Sequence, residues 1–130
     1  MWRHLTADEV DRYDLVPLEI RERARILRIP RLFGGYDGLT SGRLVFLTED
    51  DDQSGGRPLL AHELVHVEQF RRQGRLVFAA IYFSDYLRGL VKHRHHRQAY
   101  LDIRQEREAR ARTQDWVERR GTVRPRDPGP

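Results

Sequence analysis

The chain contains no cysteine among its 130 residues. This absence excludes both a disulfide-linked scaffold and a metal site built on thiolates, which leaves histidine and carboxylate side chains as candidate metal ligands. A chain of this length can bury one hydrophobic core, so we expect a single domain over residues 1–120. Residues 121–130 contain three prolines and two glycines, a composition that predicts a disordered tail.

The chain also lacks a long apolar run. The longest one, residues 76–83, is far shorter than the roughly 20 residues that a membrane helix requires. Residues 1–10 include Arg3, Asp8 and Glu9 and have no apolar segment of signal-peptide length. We therefore expect a cytoplasmic protein with no membrane partner.

The charge balance is moderately basic, with 24 Lys and Arg against 20 Asp and Glu and a net charge of +4. The excess is concentrated in residues 88–126. Neither aromatic residues interleaved with the basic ones nor a nucleic-acid-binding motif accompanies it. We expect most of these arginines to coat a helix that faces water, and we do not expect nucleic acid as a partner.

Residues 62–66 read His-Glu-Leu-Val-His, the signature of zincin metalloproteins. His62 and His66 are four residues apart, so on a helix they stand one turn above the other and can both bind one Zn²⁺. Glu63 would then lie beside the metal's open position. There it can take a proton from a water held by the metal and pass it to a leaving amine.

The surroundings of this motif make a chance match less plausible than a metal site. Apolar residues flank it on every side of the helix, which predicts a buried helix rather than an amphipathic one; they are Leu59, Leu60, Ala61, Leu64, Val65, Val67 and Phe70. A buried polar group without a partner costs about 1 to 3 kcal/mol. A metal ion would satisfy both histidines and the glutamate together.

The remaining pattern predicts a mostly helical α+β domain with a short strand before the motif helix. Residues 44–48 predict the strand, and Pro58 and Gly74 mark the beginning and end of the motif helix. Three further helices are expected over residues 17–27, 76–90 and 98–119, the second covering the motif helix. The last should bury a stripe that includes Ile103, Ala109 and Trp116.

A basic linker is expected between the last two helices, over residues 92–97. Its histidines, His93, His95 and His96, suggest a second metal site. They lie among Lys92 and arginines, whose charges repel a cation, so a solvated linker is the better interpretation.

A catalytic zinc has three protein ligands, so a third is required. Gln69 and Arg72 occupy the positions that a metzincin would fill with glycine and histidine, which excludes that class. The candidates are Glu106 and Glu108, which point to nearly opposite faces of the last helix. We favour Glu108, because the small Ala109 beside it would permit close approach of two helices, and we retain Glu106 as the alternative.

A peptidase also needs a donor for the oxyanion and an edge strand that pairs with the substrate backbone. Tyr100, just before the predicted ligand region, is our candidate donor, with Tyr82 and Tyr86 as alternatives. The strand at residues 44–48 is the candidate edge strand.

Residues 60–69, Leu-Ala-His-Glu-Leu-Val-His-Val-Glu-Gln, together with Glu-x-Glu-Ala at 106–109, resemble the small bacterial gluzincin-type metallopeptidases. These include the uncharacterised domain associated with contractile injection systems, and the resemblance covers residues 43–112. It implies zinc at His62, His66 and Glu108, with Glu63 as general base. The chain departs from the family at Arg110, where the family often has Asp or Asn.

We therefore expect a minimal zincin-like zinc metallopeptidase that acts on a peptide or protein substrate. The alternative is a zinc-binding interaction module of the same fold with little or no turnover. The small size of the chain and its single predicted strand favour that alternative, since the groove they form would be shallow.

Overall fold

A computed structural model describes residues 1–121, so most of the predicted tail at 121–130 lies outside the described residues. The observed class is the predicted one, α+β and mostly helical. The elements are α1 (Ala7–Arg12), α2 (Leu18–Arg23), β1 (Arg25–Arg28), β2 (Gly38–Ser41), β3 (Leu44–Leu47), α3 (Pro58–Gln73), α4 (Arg75–His93), α5 (His96–Asp102) and α6 (Arg104–Gly121).

The three strands form one sheet in the order β1-β3-β2. β1 runs parallel to β3, and β2 runs antiparallel to β3. Gly42, with φ 66°, begins the two-residue turn of the β2–β3 hairpin, where a positive φ is required. The predicted strand at 44–48 is confirmed, but its prediction as an edge strand is wrong. β3 lies in the centre, and β2 forms the edge.

Non-local pairing explains two differences from the sequence prediction. The helix predicted over residues 17–27 ends at Arg23, because the backbone becomes extended at Ala24 and Ile26 then pairs with Val45 of β3. β2 was not predicted, because it begins at Gly38, in a glycine-rich segment that is typical of a turn. Helix α1 was not predicted, although Thr6 and Glu9 form a capping box that a Thr-x-x-Glu pattern can signal.

The motif helix α3 begins and ends as predicted, with Pro58 as its first residue and Gly74, at φ 83°, as its C-cap. Leu60 and Leu64 are fully buried, and the helix contacts the sheet, α4 and α6. Its central position confirms the predicted buried helix. Its first turn is fixed by Tyr13, whose hydroxyl accepts a hydrogen bond from the Arg57 backbone N–H at 3.0 Å.

The single helix predicted over residues 98–119 is interrupted at Ile103, which has extended backbone angles. The buried carboxylate of Asp85 on α4 accepts a hydrogen bond from the Arg104 backbone N–H at 3.0 Å and another from its guanidinium at 2.8 Å. Asp85 therefore fixes where α6 begins. The predicted stripe of Ile103, Ala109 and Trp116 is confirmed, since all three side chains are buried.

α4 covers α3 less completely than predicted. Phe78 is buried and stacks on Phe70 of α3, with ring centroids 3.7 Å apart. Leu76, Phe83 and Leu87 are exposed, because the contacts of α4 are more extensive with α5 than with α3. Within residues 1–121, no helix has both the length and the apolar character needed to cross a membrane.

We predict that Gly89→Ala destabilises the protein. A Cβ at this position would lie 2.8 Å from the Ala99 Cα on α5, so α4 and α5 must separate. The expected loss in the free energy of unfolding is about 1 to 3 kcal/mol, opposite in sign to the usual gain for Gly→Ala within a helix. Urea denaturation measures it, with Ser84→Ala on the exposed side of α4 as control. Unchanged stability would show that α5 does not pack at Gly89.

Candidate metal centre

Two histidines of α3 and one glutamate of α6 meet between the helices. His62 Nε2 lies 3.0 Å from Glu106 Oε1, and His66 Nε2 lies 3.2 Å from Glu106 Oε2. One ligand atom from each of the three side chains lies within 4.8 Å of the other two. The helical spacing of the histidines therefore brings both imidazoles to the same carboxylate.

Glu106, the alternative in the sequence analysis, lies in this cluster, and the favoured Glu108 does not. Glu108 lies to one side, where it accepts hydrogen bonds from Gln69 at 2.8 Å and Arg72 at 3.2 Å. The periodicity of α6 contained the signal for Glu106, which is three residues from both Ile103 and Ala109 and so shares their buried stripe. The small side chain of Ala109 was a misleading reason for preferring its neighbour.

Gln69 fixes the orientation of the His66 ring, a role that the sequence analysis missed. Its Nε2 donates hydrogen bonds to the Gln105 backbone carbonyl at 3.0 Å and to Glu108. Its Oε1 lies 2.7 Å from His66 Nδ1 and must accept, because the amide nitrogen is already committed. The proton therefore stays on Nδ1, and Nε2 faces Glu106. An orienting residue of this kind is typical of metal-binding histidines.

Charge coupling dominates the buried His66–Glu106 pair. Burial acts to raise the pKa of Glu106, but the close contacts of its carboxylate with His62 and His66 outweigh burial and hold that pKa well below its usual range. Burial acts to lower the pKa of His66, but the adjacent negative charge of Glu106 raises it to about 9. Without metal, the pair is therefore an imidazolium and a carboxylate at neutral pH.

The third helix at this site contributes Tyr82 from α4. Its hydroxyl donates a hydrogen bond to Glu106 Oε2 at 2.7 Å. Burial and the charge of Glu106 both raise the pKa of Tyr82, so the phenol remains a donor. Glu106 is thus held by side chains from two helices besides its own.

The three residues fit the ligand set of a catalytic zinc. His66 Nε2 is a buried nitrogen with no hydrogen-bond partner of suitable geometry among residues 1–121. Two imidazole nitrogens and one carboxylate oxygen form a common set of catalytic zinc ligands. Metal binding must displace the proton of His66, so affinity should rise with pH.

Glu63 lies next to this cluster and is held by β2. Thr40 Oγ1 donates a hydrogen bond of 2.6 Å to Glu63 Oε1. Gly38 leaves room for the other oxygen, because a Cβ there would lie 3.2 Å from Glu63 Oε2. Neither residue was predicted to belong to the site, because β2 itself was not predicted.

Two cavities meet at Glu63. The larger, of about 1240 Å³, is also lined by His62 and Arg110. The smaller, of about 540 Å³, is also lined by His66 and Glu106, with a mainly aromatic and apolar remainder: Tyr36, Leu39, Phe78, Tyr82, Phe83, Tyr86, Tyr100 and Ile103. Space for a ligand therefore exists on both sides of the glutamate.

Tyr100, the predicted oxyanion donor, lines both cavities. Burial and the charge of Glu106 raise its pKa, so its hydroxyl stays protonated at neutral pH. Glu106 interacts with the hydroxyls of both Tyr100 and Tyr82, and the Tyr86 hydroxyl lies 2.6 Å from His96 Nδ1. Tyr100 remains the candidate because, of these three tyrosines, it alone lines both cavities.

The histidines of the predicted linker bind separate partners. His93 pairs with Asp102, and His95 caps α5 by accepting a hydrogen bond from the Gln98 N–H. His96 contacts Tyr86. Helices α4 and α5 extend into the predicted linker from both ends, so it is shorter than expected.

The His66–Glu106 pair predicts a pH-dependent stability for the metal-free protein. Because folding raises the pKa of His66 from the ordinary histidine value of 6.5 to about 9, the stabilisation is complete below pH 6.5 and is lost as the pH rises through 9. Denaturation between pH 6 and 10 should show this decline in the parent and a smaller one in Glu106→Gln. NMR titration of His66 should give a lower pKa in that variant; an unchanged value would contradict the coupling.

Residues 34–74 match the family described as the eCIS core domain. The match spans 41 of the 130 residues and contains β2, β3 and α3, with both histidines of the cluster and Glu63. It does not extend to Glu106. No curated protein and no solved structure matches the chain. Over these residues the chain is similar to a family associated with contractile injection systems.

Proposed function

We propose that this protein is a zinc-dependent metallopeptidase of the gluzincin type. The observation that carries the proposal is the convergence of His62, His66 and Glu106 within 4.8 Å of one another, next to a glutamate at the junction of two cavities. Structural zinc sites are usually closed by four protein ligands, whereas catalytic sites keep one position open. A set of three ligands beside open space favours catalysis.

Each residue of the cluster has a definite role in this proposal. His62, His66 and Glu106 would hold the ion, and Gln69 would keep the lone pair of His66 on Nε2. When bound, zinc lowers the pKa of water and polarises a substrate carbonyl. Glu63 accepts a proton from the attacking water and delivers it to the leaving amine.

The hydrogen bond from Thr40 supports this role of Glu63. It engages Oε1 of the carboxylate, while Oε2 faces the gap left by Gly38. One oxygen is therefore positioned by the sheet, and the other is available for proton transfer. Tyr100 would donate its hydroxyl to the oxygen of the carbonyl as negative charge develops there.

The edge strand and the smaller cavity support a peptide as substrate. β2 pairs on one side with β3 and has no strand on its other side within residues 1–121. An extended peptide can add to such an edge through backbone hydrogen bonds. The aromatic lining of the smaller cavity would accept an apolar side chain next to the scissile bond.

A zinc-binding interaction module is the second candidate, since the same ligands could stabilise the fold without turnover. The cavities favour the enzyme. A module of that kind has no need for open space at the general base, yet Glu63 lines two cavities, of about 1240 and 540 Å³. The smaller cavity falls within the range of about 300 to 1,000 Å³ that is common for ligand-binding pockets, and the larger one exceeds it.

We predict about one zinc per chain in purified protein supplied with the metal. His66→Ala should abolish binding, and Glu106→Ala should weaken it far more than Glu108→Ala, whose effect acts through Gln69. Disturbing such an outer residue typically costs about 10- to 100-fold in affinity. Elemental analysis and competition with a chelator measure both quantities. Folded protein that takes up no zinc would refute the site; a larger effect of Glu108→Ala would refute the ligand assignment.

We predict that Glu63→Gln keeps zinc but loses hydrolysis. The amide cannot accept the proton, so the rate should fall by about 10² to 10⁴-fold. The zinc-loaded parent and variant are incubated with unfolded casein and a mixture of synthetic peptides, and mass spectrometry counts new termini. Glu68→Gln, on the same helix but outside the cluster, is the control. Cleavage at equal rates would exclude Glu63 as the base; full zinc loading without cleavage in the parent would favour the interaction module.

A further inference from the structure

Arg110 lines the larger cavity together with His62 and Glu63. Its Nη2 donates a hydrogen bond to the Leu101 backbone carbonyl at 2.6 Å. Its Nη1 is shielded from water and has no hydrogen-bond partner among residues 1–121. A guanidinium carries five N–H donors, so most of the donor capacity of Arg110 is unused in this part of the chain.

A second unpaired group lies on the same wall. Thr113, one turn further along α6, also lines the larger cavity. Its hydroxyl is buried and has no hydrogen-bond partner among the described residues. A buried donor without a partner is destabilising, and residues three apart on a helix are neighbours, so these two groups favour a ligand that supplies acceptor oxygens.

The partly buried arginines of this fold are satisfied in two ways. Among the described residues, some donate only to backbone carbonyls, as Arg21 and Arg43 do, and others are paired with carboxylates. Arg3 binds Glu9 and Asp50, each at 2.7 Å. Arg112, also on α6, binds Glu68 at 2.7 Å. Arg110 has no such ion pair within residues 1–121, although it faces the cavity at the general base.

The cavity contains aspartates that could pair with Arg110 and a second arginine that could bind the same ligand. Asp37, Asp52 and Arg57 also line it. Asp52 is engaged by Ser54, whose hydroxyl lies 2.6 Å from the carboxylate, and Arg57 donates to the Glu49 backbone carbonyl. Neither aspartate approaches Arg110 closely enough for an ion pair in the described structure.

We propose that Arg110, assisted by Thr113, binds a carboxylate of the peptide that occupies the larger cavity. The inference rests on the proposed function, since it takes the occupant to be a peptide that reaches Glu63. A guanidinium binds a carboxylate through two parallel hydrogen bonds, and rotation of the Arg110 side chain would present Nη1 to the cavity. The carboxylate belongs either to the peptide's C-terminus or to an aspartate or glutamate side chain.

Peptide binding to metal-free protein tests the site, because it removes direct coordination of the carboxylate to zinc. The probes are three N-acetylated tetrapeptides of alanine and one phenylalanine. One has a free C-terminal carboxylate, one has a C-terminal amide, and one has the amide with glutamate as its last residue. NMR titration of the full chain gives the dissociation constants. Cleavage of the same peptides is measured separately with zinc.

At least one acidic probe should bind about tenfold more tightly than the neutral amide, the effect of one charge-assisted hydrogen bond. The advantage should disappear in Arg110→Gln and persist in Arg107→Gln, which removes an equal charge from the exposed side of α6. Thr113→Val should reduce it to a smaller extent and provides a second variant if Arg110→Gln does not fold. The probe that gains affinity identifies the source of the carboxylate.

Equal binding of the acidic and neutral probes by the parent would overturn the proposal, and so would an advantage that survives in Arg110→Gln. This result is separable from failure of the peptidase. Zinc loading and cleavage without a carboxylate preference would reject the carboxylate site alone. A preference that depends on Arg110 in a protein that takes up no zinc would reject the metal centre and support the carboxylate site.

Discussion

The site depends on the contact of the buried Glu106 carboxylate with the imidazoles of His62 and His66. Glu106 joins α6 to both histidines of α3, at 3.0 and 3.2 Å. Removing a carboxylate and an imidazolium from water carries a large desolvation cost, which their attraction offsets only with good geometry and additional hydrogen bonds. Apolar residues of similar volume would stabilise a core as well. The cluster therefore makes better sense as a metal site than as a device for stability.

The position of Glu106 is set two residues before it. The carboxylate of Asp85 binds the Arg104 backbone N–H and so determines where α6 starts and which of its residues face α3. Tyr82 of the same helix then binds Glu106 directly. α4 thus adds no residue to the cluster of His62, His66 and Glu106 but positions Glu106 through two of its own residues.

The parts of the fold that could be predicted from the sequence are those specified locally. Pro58 and Gly74 gave the bounds of α3, and the spacing of His62 and His66 gave their common face. The strands β1 and β2 were not predicted because their stability comes from pairing with β3. The residues of β1 and β2 do not by themselves indicate this pairing. The buried stripe of α6 could have distinguished Glu106 from Glu108. The break at Ile103 could not be predicted locally, because it depends on Asp85 of α4.

The division of the site along the chain bears on specificity. The segment that matches the eCIS core domain, residues 34–74, contains Glu63, the candidate general base, together with both histidines of the cluster and the strand that orients Glu63. Glu106, Tyr100 and Arg110 lie beyond it, on α5 and α6. The matched segment thus holds the candidate groups for proton transfer, while the third ligand and much of the cavity wall come from the rest of the chain. Substrate preference should therefore depend on α4, α5 and α6 as well as on the matched segment, because four aromatic residues of α4 line the smaller cavity and Arg110 of α6 lines the larger one.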